Sequence, residues 1–110
     1  MPLTFDLYQL LALRTENKQP TQEKRLTNAG LGLAGESGEF ADHIKKIYYH
    51  GHELDEITLA KELGDVLWYL AIAADAIGLT LEDIATGNIL KLQNRYPDGF
   101  DQERSINRED

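Results

Sequence analysis

The sequence predicts an all-α fold, a four-helix bundle-like arrangement, and three observations carry that prediction. Leu and Ala number 17 and 10 of 110 residues against a single Val, and eight scattered Ile are the main supply of β-branched apolar side chains. Proline is scarce, with three in the chain. Apolar side chains also recur at helical spacing over long stretches. Helices are predicted at roughly 3–17, 22–48, 55–78 and 80–96, followed by a C-terminal tail.

The first helix holds Phe5, Leu7, Tyr8, Leu10, Leu11 and Leu13, too dense a set for one clean face. A connector from Asn17 to Thr21 contains Pro20. The second helix carries Leu26, Ala29, Leu33, Phe40, Ile44 and Ile47 as its stripe, and His50-Gly51-His52 closes it with Gly just past the end. Asp55 is a fitting N-cap for the third helix, whose stripe runs through Leu59, Leu63, Val66, Leu70, Ala73 and Ile77 to Gly78. Thr80-Leu81-Glu82-Asp83 has capping-box spacing and opens the fourth, which Pro97-Asp98-Gly99 ends. The last eleven residues, rich in Asp, Glu and Arg, read as a tail that orders only against a partner surface. Residues 1–110 are expected to form one domain. A domain of this size buries roughly two-thirds of its unfolded surface.

The absence of Cys excludes disulfide frameworks, zinc fingers and thiol catalysis. The longest uncharged stretch, Leu26 to Gly35, is ten residues, half of the roughly twenty a bilayer span requires. The first basic residue is Arg14, so no charged segment precedes an apolar core as in a secretory signal. No membrane association and a cytoplasmic location are therefore expected. Net charge is −8, with 19 acids against 11 Lys and Arg. That balance opposes binding to a nucleic-acid backbone, which needs clustered cations. An anionic ligand would need positive charge from elsewhere.

Two motifs invite readings that their context does not support. Gly30, Gly32 and Gly35 match G-x-G-x-x-G, but the dinucleotide fingerprint works after a strand, and these glycines lie within a helical stripe. Close approach of another backbone or a ligand is the alternative explanation for small residues there. His50-x-His52 has metal-pair spacing, yet two histidines around a glycine in a polar loop also make an ordinary helix exit.

The informative feature is Glu36-x-x-Glu39 followed by Glu62-x-x-Asp65. Residues three apart are neighbours on one helix face. In both pairs one acid falls in or beside the apolar stripe and the other lies about 60° round. A lone pair of this kind is most simply a solvated face. Two pairs on two helices, both turned toward the core, imply that the acids protonate, that cations join them, or that the helices do not face each other. Di-iron bundles use Glu-x-x-His, and no Glu here has His three residues on; His43 follows Glu39 at i+4, without a counterpart. An all-oxygen donor set favours Mg²⁺, with Mn²⁺ as a substitute, and Mg²⁺ leaves positions for water and substrate phosphates. An acidic protein can bind a polyphosphate through such a metal. On the fourth helix Asn88, Lys91 and Arg95 share one face, Asn88 and Arg95 lie close to the stripe of Leu81, Ala85 and Leu92, and the three suit phosphate oxygens and a sugar hydroxyl. Cations near a helix C-terminus also satisfy its dipole.

Leu31-Gly-Leu-Ala-Gly-Glu-Ser-Gly-Glu39, Glu62-Leu-Gly-Asp-Val-Leu-Trp-Tyr69 and Asn88-x-x-Lys-Leu-x-x-Arg-Tyr-Pro-x-Gly-Phe100, in that order, resemble the MazG-type nucleoside triphosphate pyrophosphohydrolases over residues 20–104. The resemblance implies an all-α Mg²⁺ enzyme of the compact, single-domain type. It would hydrolyse a nucleoside triphosphate to the monophosphate and pyrophosphate, a nucleotide-pool house-cleaning reaction. It implies Glu36, Glu39, Glu62 and Asp65 as catalytic metal ligands and Asn88, Lys91, Arg95 and Tyr96 as the residues that reach substrate. It also implies a homodimer or homotetramer. Trp68, about 120° from Glu62, is then either an assembly contact or a side chain partly buried under the first helix. The competing reading is a non-catalytic helical interaction module that keeps the fold.

Overall fold

A computed structural model describes residues 2–108. The chain forms α1 (Phe5–Leu13), α2 (Gln22–Tyr49), α3 (Glu56–Ala76), α4 (Leu81–Arg95) and α5 (Gln102–Ile106), with no strand among the described residues.

Each start is set by a side-chain cap that satisfies backbone N–H groups left open at a helix N-terminus. Thr4 Oγ1 accepts from Leu7 N–H, Thr21 Oγ1 from Lys24 N–H, and Asp55 from both Ile57 and Thr58. At α4 the capping box is complete: Thr80 Oγ1 accepts from Asp83 N–H, and the Asp83 carboxylate accepts from Thr80 N–H. The exits use glycine where the backbone turns left-handed. Gly51 (φ +72°) follows α2 and Gly78 (φ +79°) follows α3. His50 and His52 N–H both donate to Lys46 O, which gives this histidine pair a helix-exit role.

Two boundaries differ from the sequence expectation. α1 occupies 5–13, not 3–17, because Arg14, Thr15 and Glu16 N–H tighten onto carbonyls three residues back and end the helix. Glu16 then turns to Arg25, whose guanidinium reaches Glu16 Oε1 at 2.9 Å and Asp75 Oδ2 at 2.7 Å, tying the α1–α2 connector and α2 to the end of α3. The predicted tail contains a short helix, α5, because Asp101 accepts from Glu103 and Arg104 N–H.

α2 and α3 form the dominant packed pair, an antiparallel hairpin, and α1 lies across α3. The core is small: Ala12, Ala71, Ala74 and Leu81 cluster where α1, α3 and α4 meet, with Tyr8, Leu67 and Trp68 packed against them. Buried Gln9 joins the same three elements. Its Nε2 donates to Ala71 O and Leu79 O, and its Oε1 accepts from Leu81 N–H. Each polar atom of this buried amide thereby finds a partner. Trp68 is packed under α1, as one of the two sequence readings has it, and its indole N–H donates to Thr15 Oγ1 at 2.8 Å.

α4 departs from α3 at a 95° bend. Beyond buried Leu81, residues 82–94 are exposed, Ile84, Ile89 and Leu90 among them. A stripe on α3 is also uncovered: Leu63, Leu70 and Ile77, spaced by seven, are 54%, 41% and 49% exposed.

Candidate metal centre

The hairpin brings together positions far apart in sequence. Gly32 lies against the Tyr69 ring, so closely that a Cβ there would collide with it. Close approach thus explains Gly32, whereas Gly30, Gly35 and Gly38 face open space. With that contact as one fixed point, Glu36 on α2 comes opposite Glu62 and Asp65 on α3. One carboxylate oxygen from each of Glu36, Glu62 and Asp65 lies within 4.8 Å of the others, the sole cluster of three His, Asp or Glu ligands among the described residues. Glu36 and Glu62 are half-buried and Asp65 is exposed. Glu39, one turn along α2, is exposed and outside the cluster, although its charge acts on Glu36.

The electrostatics of this arrangement are unfavourable without a counter-charge. Glu36 Oε2 and Glu62 Oε2 are buried and without a hydrogen-bond partner. Buried acceptors are ordinarily paired, and a carboxylate oxygen left alone is costly. Desolvation raises the Glu36 carboxyl above its ordinary range, and the negative charges of Glu39, Asp65 and Glu62 raise it further. Three clustered carboxylates, two with orphaned buried oxygens, fit a hard divalent cation, whose oxygen preference matches the donors.

The sequence does not assign two neighbours to the cluster: Tyr8, and His43, which enters there only as a di-iron ligand. His43 Nε2 lies 3.3 Å from Glu62 Oε1. The Tyr8 phenol is raised above its ordinary range by burial and then by the charge of Asp65, which places α1 beside the site. His43 follows Glu36 by seven residues and therefore shares its helix face, a signal present in the sequence. Tyr8 sits on a helix without a clean face and gave none.

The α4 residues are arranged differently. Asn88 and Lys91 are exposed, and Arg95 and Tyr96 are half-buried at the end of the helix. The expectation that Asn88 adjoins a buried stripe is corrected: Ala85 and Leu92 are themselves exposed, because only the first turn of α4 reaches the core. The Arg95 guanidinium carbon lies 5.7 Å from the Tyr96 ring centroid, and Tyr96 packs on Phe100 with centroids 5.4 Å apart. Asn94, Arg95, Asp101, Glu103, Arg104, Asn107 and Arg108 line an open cavity of about 710 Å³ between α4 and α5.

Fold and site together define an all-α protein built on a helical hairpin that shares a carboxylate cluster between its arms. The chain belongs to the MazG family, since the MazG nucleotide pyrophosphohydrolase domain matches residues 24–100. It is 36% identical over 87 residues to the Gene 37 protein of Mycobacterium phage L5, a similarity covering 76% of this chain and 76% of that one. No solved structure matches the chain. The family match takes in the carboxylates and the α4 residues and leaves α1 outside.

Proposed function

We propose that this protein hydrolyses a nucleoside triphosphate to the monophosphate and pyrophosphate in a Mg²⁺-dependent reaction, within a single domain acting in the cytoplasm on the nucleotide pool. The observation that carries the reading is the pair of orphaned buried oxygens, Glu36 Oε2 and Glu62 Oε2, on two of the three residues of the carboxylate cluster. Family membership supplies the reaction class.

In this reading Glu36, Glu39, Glu62 and Asp65 are the metal-holding and catalytic residues. Mg²⁺, with Mn²⁺ as a substitute, would be held by these carboxylates and would supply charge neutralisation for the triphosphate and a lowered pKa for the attacking water. The carboxylates themselves do two things. They fix the position of positive charge between α2 and α3, and one of them accepts the proton of the attacking water as general base. Asn88, Lys91, Arg95 and Tyr96 form the substrate-binding set. Lys91 and Arg95 bring charge suited to the departing pyrophosphate, and Asn88 brings an amide suited to a sugar or phosphate oxygen. Assembly as a homodimer or homotetramer accompanies this reading, supported by the uncovered α3 stripe.

The test compares wild type with Glu62→Gln, which keeps the side-chain shape. Mg²⁺ should raise the melting temperature of the wild type, because a ligand that binds only the folded state stabilises it. Glu62→Gln should remain folded and lose that shift along with most hydrolysis. A variant that keeps wild-type turnover in saturating Mg²⁺ removes Glu62 from the site. A wild type with neither a Mg²⁺ shift nor hydrolysis favours the non-catalytic module.

A further inference from the structure

The two oxygens of Glu62 are not equivalent. Oε1 faces His43 Nε2 at 3.3 Å, whereas Oε2 is buried and without a hydrogen-bond partner. The Glu62 side chain is 14% exposed and that of His43 is 39% exposed, so the imidazole is the more solvent-accessible partner of the pair. Neither imidazole nitrogen joins the cluster of Glu36, Glu62 and Asp65. His43 and Glu36 lie two turns apart on one face of α2, so a single helix holds both the imidazole and the acid across from Glu62.

A glutamate has three side-chain torsions, and an oxygen held by a neighbour removes most of the freedom of the terminal one. Outer partners of this kind orient metal-binding carboxylates and raise affinity by restricting them in advance. We propose that His43 is a positioning residue: its imidazole holds Glu62 Oε1 and thereby aims Oε2 at the divalent cation. This role rests on the metal-site reading and adds a residue to it. It makes metal affinity, before any nucleotide is present, depend on a side chain outside the carboxylate cluster.

The experiment uses the full chain without nucleotide and measures Mn²⁺ binding from the electron paramagnetic resonance signal of the free ion. Wild type, His43→Ala, His43→Gln and Glu62→Gln are compared, with circular dichroism verifying the fold of each. His43→Ala should weaken Mn²⁺ binding by about 10- to 100-fold. His43→Gln, whose amide nitrogen can take the place of Nε2, should recover most of the loss. In hydrolysis assays the alanine variant should need more Mg²⁺ to reach half-maximal rate and should approach wild-type kcat when Mg²⁺ saturates. Should the alanine variant not fold, His43→Asn replaces it; its shorter amide falls short of Glu62 and should bind more weakly than His43→Gln. Wild-type affinity in His43→Ala, or equal affinity in the Asn and Gln variants, overturns the positioning role if Glu62→Gln loses the metal. Absence of Mn²⁺ binding by the wild type at millimolar concentration overturns the metal-site reading itself, and the role of His43 with it.

Discussion

Single residues decide whether the two arms of the hairpin can meet. Gly32 is the clearest case, because the Tyr69 ring occupies the space its side chain would fill. Gly32→Ala should force the ring or the helices to shift, at a cost of about 1–3 kcal/mol. Gly35→Ala, facing open space, should instead stabilise the chain slightly through helix propensity. Thermal unfolding of the two variants checks this pair, and equal effects would contradict it. Both glycines were legible as small residues in a helical stripe, but the sequence could not say which of them meets a neighbour. The same limit applies to the carboxylates. Glu36, Glu62 and Asp65 announced themselves through spacing within each helix. Glu39 shares that spacing yet lies outside the cluster, because the register between helices is set by contacts such as Gly32 to Tyr69.

Helix boundaries were legible where a capping side chain marks them. Thr80 with Asp83, and Asp55 with Thr58, were readable because their acceptors lie two or three residues from the donors they satisfy. The early end of α1 was not, since it rests on backbone bonds of Arg14, Thr15 and Glu16 to carbonyls three residues back, which no glycine or proline announces. The Asp55 cap carries a pH signature. Hydrogen bonds from Thr58 and Ile57 hold its carboxyl below the ordinary range, helped by the charge of Lys61. The folded state thus binds a proton at Asp55 less readily than the unfolded chain does. Its contribution is fully present above the ordinary value of 3.8 and is lost as pH falls through the lowered folded value. Asp55→Asn keeps a capping oxygen without the charge. It should flatten the loss of stability as pH falls below the ordinary value of 3.8, measured as melting temperature against pH, and an acid limb of unchanged steepness would contradict the assignment.

At the scale of the whole molecule the chain is more open than a compact domain. Its radius of gyration is 17.0 Å, where a compact chain of this length has about 13 Å. Its surface is 8318 Å², about 2,200 Å² above that of a compact protein of equal mass. The all-α class was legible from composition and periodicity. The openness was not, because stripes on α3 and α4 that predict burial do not say whether the covering surface belongs to the same chain. Permanent dimers bury roughly 2,000–5,000 Å² in total, which the surplus of two such chains can supply. Sedimentation should show a dimer or larger species, and Leu70→Glu, in the uncovered stripe, should shift it toward the 12.4 kDa monomer. A wild-type monomer at micromolar concentration with full activity would contradict the assembly. The most direct test of the account is the bond that breaks. A panel of ribo- and deoxynucleoside triphosphates is hydrolysed with Mg²⁺ in ¹⁸O-labelled water, and the products are resolved by mass spectrometry. Attack at the α-phosphorus should leave label in the nucleoside monophosphate and pyrophosphate unlabelled; nucleoside diphosphate and orthophosphate as first products, or no turnover across the panel, would contradict it.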